Sequence, residues 1–176
     1  MANTVSQLMS DLLATPTVMA SVGEDHGRKR AKIARYSSVV GDAANHQYRL
    51  CKLKAHDRIT SLRVWCSADA GMTVCDVGIF VPQIGKVGTE TLVAVDQDGL
   101  ADGVALQGAL IGIEQYGVGT NAVNELLYGK QLWEACATGP ATSPEIGTEY
   151  EIVVVVAGNP GGGGNYSWLI EYLAGD

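Results

Sequence analysis

Apolar and polar residues alternate with a period of two, in short runs broken by Gly, Asp and Asn, over most of the chain from Arg30 onward. Such alternation puts successive side chains on opposite faces of an extended backbone, so each run predicts a strand. The first four are residues 31–40, 46–54, 59–67 and 72–81, separated by turn clusters such as Gly41-Asp42 and Ala68-Asp69-Ala70-Gly71. In the third, Leu62, Val64 and Cys66 share one face and Arg63, Trp65 and Ser67 the other, the pattern of a half-buried strand. In the fourth, Cys75, Val77, Ile79 and Val81 form the core face, opposite Val74, Asp76, Gly78 and Phe80. The short gap between these two runs predicts an antiparallel hairpin.

Further along, residues 91–95 read as a short strand, whereas 100–119 mix apolar residues with glycine and hold no period, as a loop or edge segment would. A strand centred on Trp133 is predicted over 131–137. Residues 150–157 and 166–174 read as a closing hairpin around the glycine-rich 158–165. Its first strand, apolar from Ile152 to Ala157, is of the kind covered on both faces. With no long amphipathic helix between the runs, the expected fold is all-β, an antiparallel β-sandwich of jelly-roll type. Residues 1–35 read as an extended N-terminal arm with a short helix at 5–13, and 36–176 as the sandwich domain.

A chain of 176 residues with 47% apolar content can bury one core without metal or disulfide staples. The four cysteines lack CxxC spacing, and Met1 to Leu13 lacks a basic start followed by an apolar run, so assembly in a reducing cytoplasm is expected. No uninterrupted apolar stretch approaches the roughly 20 residues of a membrane helix. Charge is unevenly spread: residues 1–63 hold ten basic and five acidic residues, and the remainder two basic and fourteen acidic. Either the two halves intermix in space and the asymmetry vanishes, or one surface meets a charged partner or a neighbouring copy head to tail.

No constellation points to catalysis, a metal or a cofactor. The glycine-rich segment Gly158-Asn159-Pro160-Gly161-Gly162-Gly163-Gly164-Asn165 lacks the following helix and the Lys and Ser or Thr of a phosphate cradle. Asp96 to Gly103 fails the calcium-loop register, with Ala101 and Gln107 where Gly and Glu are required, and reads as an acidic turn. His26, His46 and His56 have no ligand spacing, and no GxSxG elbow is present. The one dense basic cluster is Arg28, Lys29, Arg30, Lys32 and Arg35. In an acidic chain, with no aromatic interleaved before Tyr36, it favours an acidic protein surface or a solvated strand edge over nucleic acid.

Three segments in order resemble a pattern in small head proteins of tailed bacteriophages: Tyr48-Arg49-Leu50-Cys51-Lys52-Leu53, Asp57-Arg58-Ile59-Thr60-Ser61-Leu62 and Asp76-Val77-Gly78-Ile79-Phe80. The order continues with Leu132-Trp133-Glu134, Glu149-Tyr150-Glu151-Ile152 and Ile170-Glu171-Tyr172. The chain thus resembles the capsid decoration, or cement, proteins. That resemblance implies a non-enzymatic sandwich on the capsid exterior of the virion, with the major capsid protein and copies of itself, as dimer or trimer, for partners. It makes the basic cluster the capsid-contact candidate. Trp65, Trp133, Trp168 and Tyr172 are expected in the core or an interface, since aromatics dominate buried contacts. The rival readings are a sugar-binding module of a head fibre or tail, with the three tryptophans as exposed platforms, and a hydrolase without a recognisable motif.

Overall fold

The computed structural model describes residues 29–39, 44–84, 90–118, 130–135, 144–145, 147–158 and 163–175. Eight strands run in chain order: β1 Lys29–Ser37, β2 His46–Lys54, β3 Arg58–Cys66, β4 Cys75–Ile84, β5 Glu90–Val104, β6 Leu110–Glu114, β7 Glu149–Val156 and β8 Asn165–Leu173. They form two four-stranded antiparallel sheets, β1-β8-β3-β6 and β2-β7-β4-β5. Consecutive strands lie in different sheets except β4 and β5, and this double-sheet winding is the jelly roll expected from the sequence.

The winding corrects two expected hairpins. β3 and β4 do not pair; the link between them crosses from one sheet to the other through a turn in which Met72 N donates to Asp69 O and Gly71 N to Asp69 Oδ1. Likewise β7 and β8 belong to different sheets, so the glycine-rich segment is a crossover. On its described side Gly163 N and Gly164 N donate to Ser38 O and Ser38 Oγ, and the segment re-enters the sheet beside the end of β1.

The strand expected over 131–137 is also corrected over 131–135; residues 136–137 lie outside the described residues. Residues Leu132–Ala135 form one helical turn, α1, because Leu132 N and Trp133 N donate to Asp57 O and Ala55 O at the turn after β2, while Glu134 caps Gln131 N. Asp96 to Gly103 lies within β5 and not in a free turn. The stretch 100–119, read without a period, holds the last five residues of β5 and all of β6, with residue 119 outside the described residues. β1 starts at Lys29, so residues 29–35, read with the arm, are strand.

Between the sheets lies one core, with Ile59, Leu62, Ile79, Leu100, Ile152, Trp168 and Ile170 fully buried. Tyr36 stacks between Tyr48 and Tyr166, at centroid distances of 4.2 and 4.8 Å, and so ties β1 to β2 across the sandwich and to β8 within its sheet. Every residue of β7 after Glu149 is buried, as its unbroken apolar run predicts. On its outer face Val153 and Val155 pack with Phe80 and Leu92, and the buried Glu151 carboxylate takes a two-pronged contact from Arg49, with Lys52 Nζ at 3.4 Å. Below the crossover, buried Asp69 accepts from Ser38 Oγ at 2.6 Å and Tyr166 OH at 3.2 Å.

Candidate contact surfaces

The basic cluster is continuous in sequence, but the pleat of β1 divides it between two surfaces. Lys29 and Arg35 point outward on the same phase as Ile33; Lys29 pairs with Glu171 of β8 at 2.9 Å. Arg30 and Lys32 take the phase of the buried Ala34 and Tyr36, at the end of β1 where the two sheets part. A groove of about 310 Å³ opens there, lined by Arg30 and Lys32 from β1, Lys52 and Lys54 from β2, and the carboxylates of Asp57 and Glu149. Asp57 is taken up by the backbone N–H groups of Lys54 and Gly175, at 2.8 and 3.0 Å. Lys32 bridges the two edge strands by donating to the Lys52 carbonyl, with its ammonium 6.0 Å from the centre of the Tyr172 ring. Arg28 lies outside the described residues.

The second surface is the outer face of the β1-β8-β3-β6 sheet, which sequence reasoning did not single out. Ile33 of β1 is 67% exposed and pairs in register with Leu169 of β8, and Leu169 with Arg63 of β3. Beside this row, Arg35, Ser167 and Trp65 form the next one, and the two rows frame an apolar depression of about 210 Å³. Trp65 is 37% exposed, and Ile111 on the neighbouring β6 is 81% exposed. Close passage of β6 past the Trp65 ring depends on Gly112, whose φ of +63° suits glycine and where an added Cβ would sit 3.0 Å from the indole. The signal was present in the alternation of β3, which already put Trp65 with Arg63 on the polar side.

The four aromatics named from the sequence separate. Trp168 and Tyr172 are buried in the core, and Trp133 is half-buried on α1 with its indole N–H donating to Gln131 Oε1 at 2.6 Å. Trp65 alone among the three tryptophans faces outward, so they do not make a common platform.

At the opposite side of the sandwich, β5 is joined to the turn that follows β6, where Gly117 N donates to Leu100 O and Asp102 N to Val118 O. Acidic side chains gather there. Asp98 hydrogen-bonds with Asp96, which holds its carboxyl above the ordinary aspartate range. Burial pushes Glu114 up, but hydrogen bonds from Ser61 Oγ, the N–H groups of Leu62 and Tyr116, and Arg63 outweigh it and leave it low. Among the described residues no group of three or more His, Cys, Asp or Glu side chains is placed to hold a metal ion. Cys51, Cys66 and Cys75 are free thiols.

No protein-family model matches the sequence, and no curated protein does. A solved structure does share the fold. A chain in the capsid of Ralstonia phage GP4 superposes with a TM-score of 0.55 at 14% identity, over 86% of this chain and 88% of that one. A chain of the cyanophage Pam1 capsid asymmetric unit aligns over 92% of this chain and 96% of its own, at 10% identity and a TM-score of 0.43, too low to argue from. At 14% identity, the GP4 likeness shows that the two chains share a fold.

Proposed function

We propose that this chain is a structural protein of a tailed-phage capsid, and more narrowly a decoration protein that binds the exterior of the shell and stabilises it. The observation that carries the reading is the outward sheet face built on Ile33, Trp65, Leu169 and Ile111 and rimmed by Arg35 and Arg63. A group of exposed apolar side chains rimmed by charge is what a protein-binding surface presents, and these make no contribution to the chain's own core. The fold shared with a chain of the GP4 capsid and the ordered phage-head motifs support the choice of a capsid as the partner. Stabilisation would come by linkage: a protein that binds only the assembled shell shifts the equilibrium against disassembly. The segment before β1 would add contact area, and the basic side chains Lys29 and Arg35 would raise the association rate more than the affinity.

Co-sedimentation with expanded, undecorated phage capsids tests this. Wild-type protein is expected to bind saturably at a fixed ratio to capsid subunits, deletion of residues 1–28 to weaken binding, and the double variant Ile33→Asp, Trp65→Ser to abolish it while the chain stays folded by circular dichroism. Failure of the folded wild-type protein to bind such shells, or full binding by the double variant, overturns the assignment.

A further inference from the structure

The sequence left open whether its charge asymmetry survives folding, and the topology answers that it does. β1 and β2 are the edge strands of the two sheets on one side of the sandwich, and they face each other. Together they carry seven basic residues and no acidic one. On the other side the edge strands are β5 and β6, with Asp96, Asp98, Asp102 and Glu114 and no basic residue.

Part of this charge is met within the chain: Glu171 pairs with Lys29, Glu151 with Arg49 and Lys52, and Arg63 with Glu114. Setting Lys52 aside, the groove between β1 and β2 still holds three further cations, Arg30, Lys32 and Lys54, against the two carboxylates Asp57 and Glu149. At the acidic side, Asp76 accepts from Gln97 Nε2 and Gly103 N and brings a further carboxylate beside Asp96 and Asp98.

We propose that copies of this chain associate head to tail, with the basic β1/β2 edge of one sandwich docked on the acidic β5/β6 edge of the next. The occupant of the basic groove is therefore a second copy. Charge complementarity selects this arrangement: basic against basic and acidic against acidic both repel, so a two-fold contact through either edge is disfavoured. A contact between unlike edges leaves one of each unused, and further copies add until a ring closes or a string grows. The inference rests on the groove side of the basic edge, with Arg30, Lys32 and Lys54, and stands apart from the capsid reading, which uses the outer sheet face with Lys29 and Arg35.

The test is sedimentation velocity of the full chain over a concentration series at low and high salt, with a short DNA duplex as a competing probe for the basic groove. Wild-type protein is expected to form complexes larger than a dimer that dissociate as the Debye length falls from about 10 Å at 0.1 M salt to about 3 Å at 1 M. Arg30→Glu with Lys54→Glu, and separately Asp98→Lys with Asp102→Lys, should each be monomeric, while an equimolar mixture of the two should recover complexes. Should a reversed variant fail to fold, the neutral pairs Arg30→Gln, Lys54→Gln and Asp98→Asn, Asp102→Asn replace it. Each neutral pair is expected to weaken self-association at least about tenfold, and a mixture to stop at one-to-one pairs. A wild-type protein that stays monomeric at low salt overturns the proposal, whether or not it binds the duplex, as does oligomerisation unaffected by the substitutions or no recovery on mixing.

Discussion

Gly78 gives the sharpest test of how the jelly roll is built. In the pairing of β4 with β5, Val77 lies opposite Ala101 and Ile79 opposite Asp96, so residues 97–100 bulge over the single position 78. A Cβ added to Gly78 would lie 2.2 Å from the Gln97 carbonyl oxygen and 2.4 Å from that of Asp96, where ordinary contact is 3.4 to 4 Å. Both obstacles are main chain, so relief demands that the bulge move by roughly 1 Å and not that a side chain swing away. Overpacking of this kind costs about 1–3 kcal/mol, and the rigid obstacles place Gly78→Ala near the upper end. For a domain of this size the melting temperature should fall by roughly 6–12 °C, taking about 2–4 °C per kcal/mol. The control is Gly108→Ala, where nothing lies within 4 Å of the new methyl and the expected change is within about 0.5 kcal/mol. Calorimetry and urea unfolding of the two variants decide the matter. If Gly78→Ala melts with Gly108→Ala, the bulge does not exist as described and the β4/β5 register is wrong.

Asp69→Ala should destabilise by about 1–3 kcal/mol in urea unfolding, because it removes the buried carboxylate that the Tyr166 and Ser38 hydroxyls share; Asp69→Asn, which keeps an acceptor, should lose less. Glu114 is held low in the folded chain, so its stabilising effect is present above the ordinary glutamate value of 4.5 and is lost as pH falls through the folded value. The melting temperature of wild-type protein should therefore drop more steeply on acidification below pH 4.5 than that of Glu114→Gln, and parallel curves would refute the role. Burial pushes the Cys51 thiol to about 11 and the Cys75 thiol to about 12, so neither should be alkylated at pH 8 in the folded chain by peptide-level mass spectrometry. Labelling of Cys75 at the rate seen in urea would contradict its place in the core.

The alternation that was legible in the sequence is the part of the fold written locally. β2 begins and ends where its pattern does, and β3 buries Leu62, Val64 and Cys66 as its phase requires. β5 was only partly legible, since the bulge opposite Gly78 breaks its period and hides half of a 15-residue strand. Partner choice is a different matter, because a short gap between two runs does not say whether the chain turns back in its own sheet or crosses. The crossing after β3 is set by Asp69, which ties the turn to Ser38 and Tyr166, residues distant in sequence. Trp133 illustrates the same limit: the carbonyls of Ala55 and Asp57 turn a strand-like run into α1. The contact surfaces were half legible. Five cations within eight residues could be seen as a cluster, but only the pleat reveals that Lys29 and Arg35 serve one face and Arg30 and Lys32 another.

Strand edges are a hazard for any open sandwich, and among the described residues this one has four edge strands. Lysine and arginine on an edge are ordinarily read as a means of keeping it from pairing. In this chain the same charges can do more, because the winding order puts the first two strands together at one side and the fifth and sixth at the other. Within its sheet β2 has a neighbour on one side only, β7, whose Glu151 takes up Arg49 and Lys52; the side facing β1 carries Arg30 and Lys32 and no carboxylate from either strand. Placed at the edge, they leave one side of the molecule basic and the other acidic. Each edge then rejects its own kind, which prevents indiscriminate sheet extension, and accepts the other. A charge pattern read from the sequence as a global imbalance becomes, through topology alone, a rule about which contacts between copies are allowed.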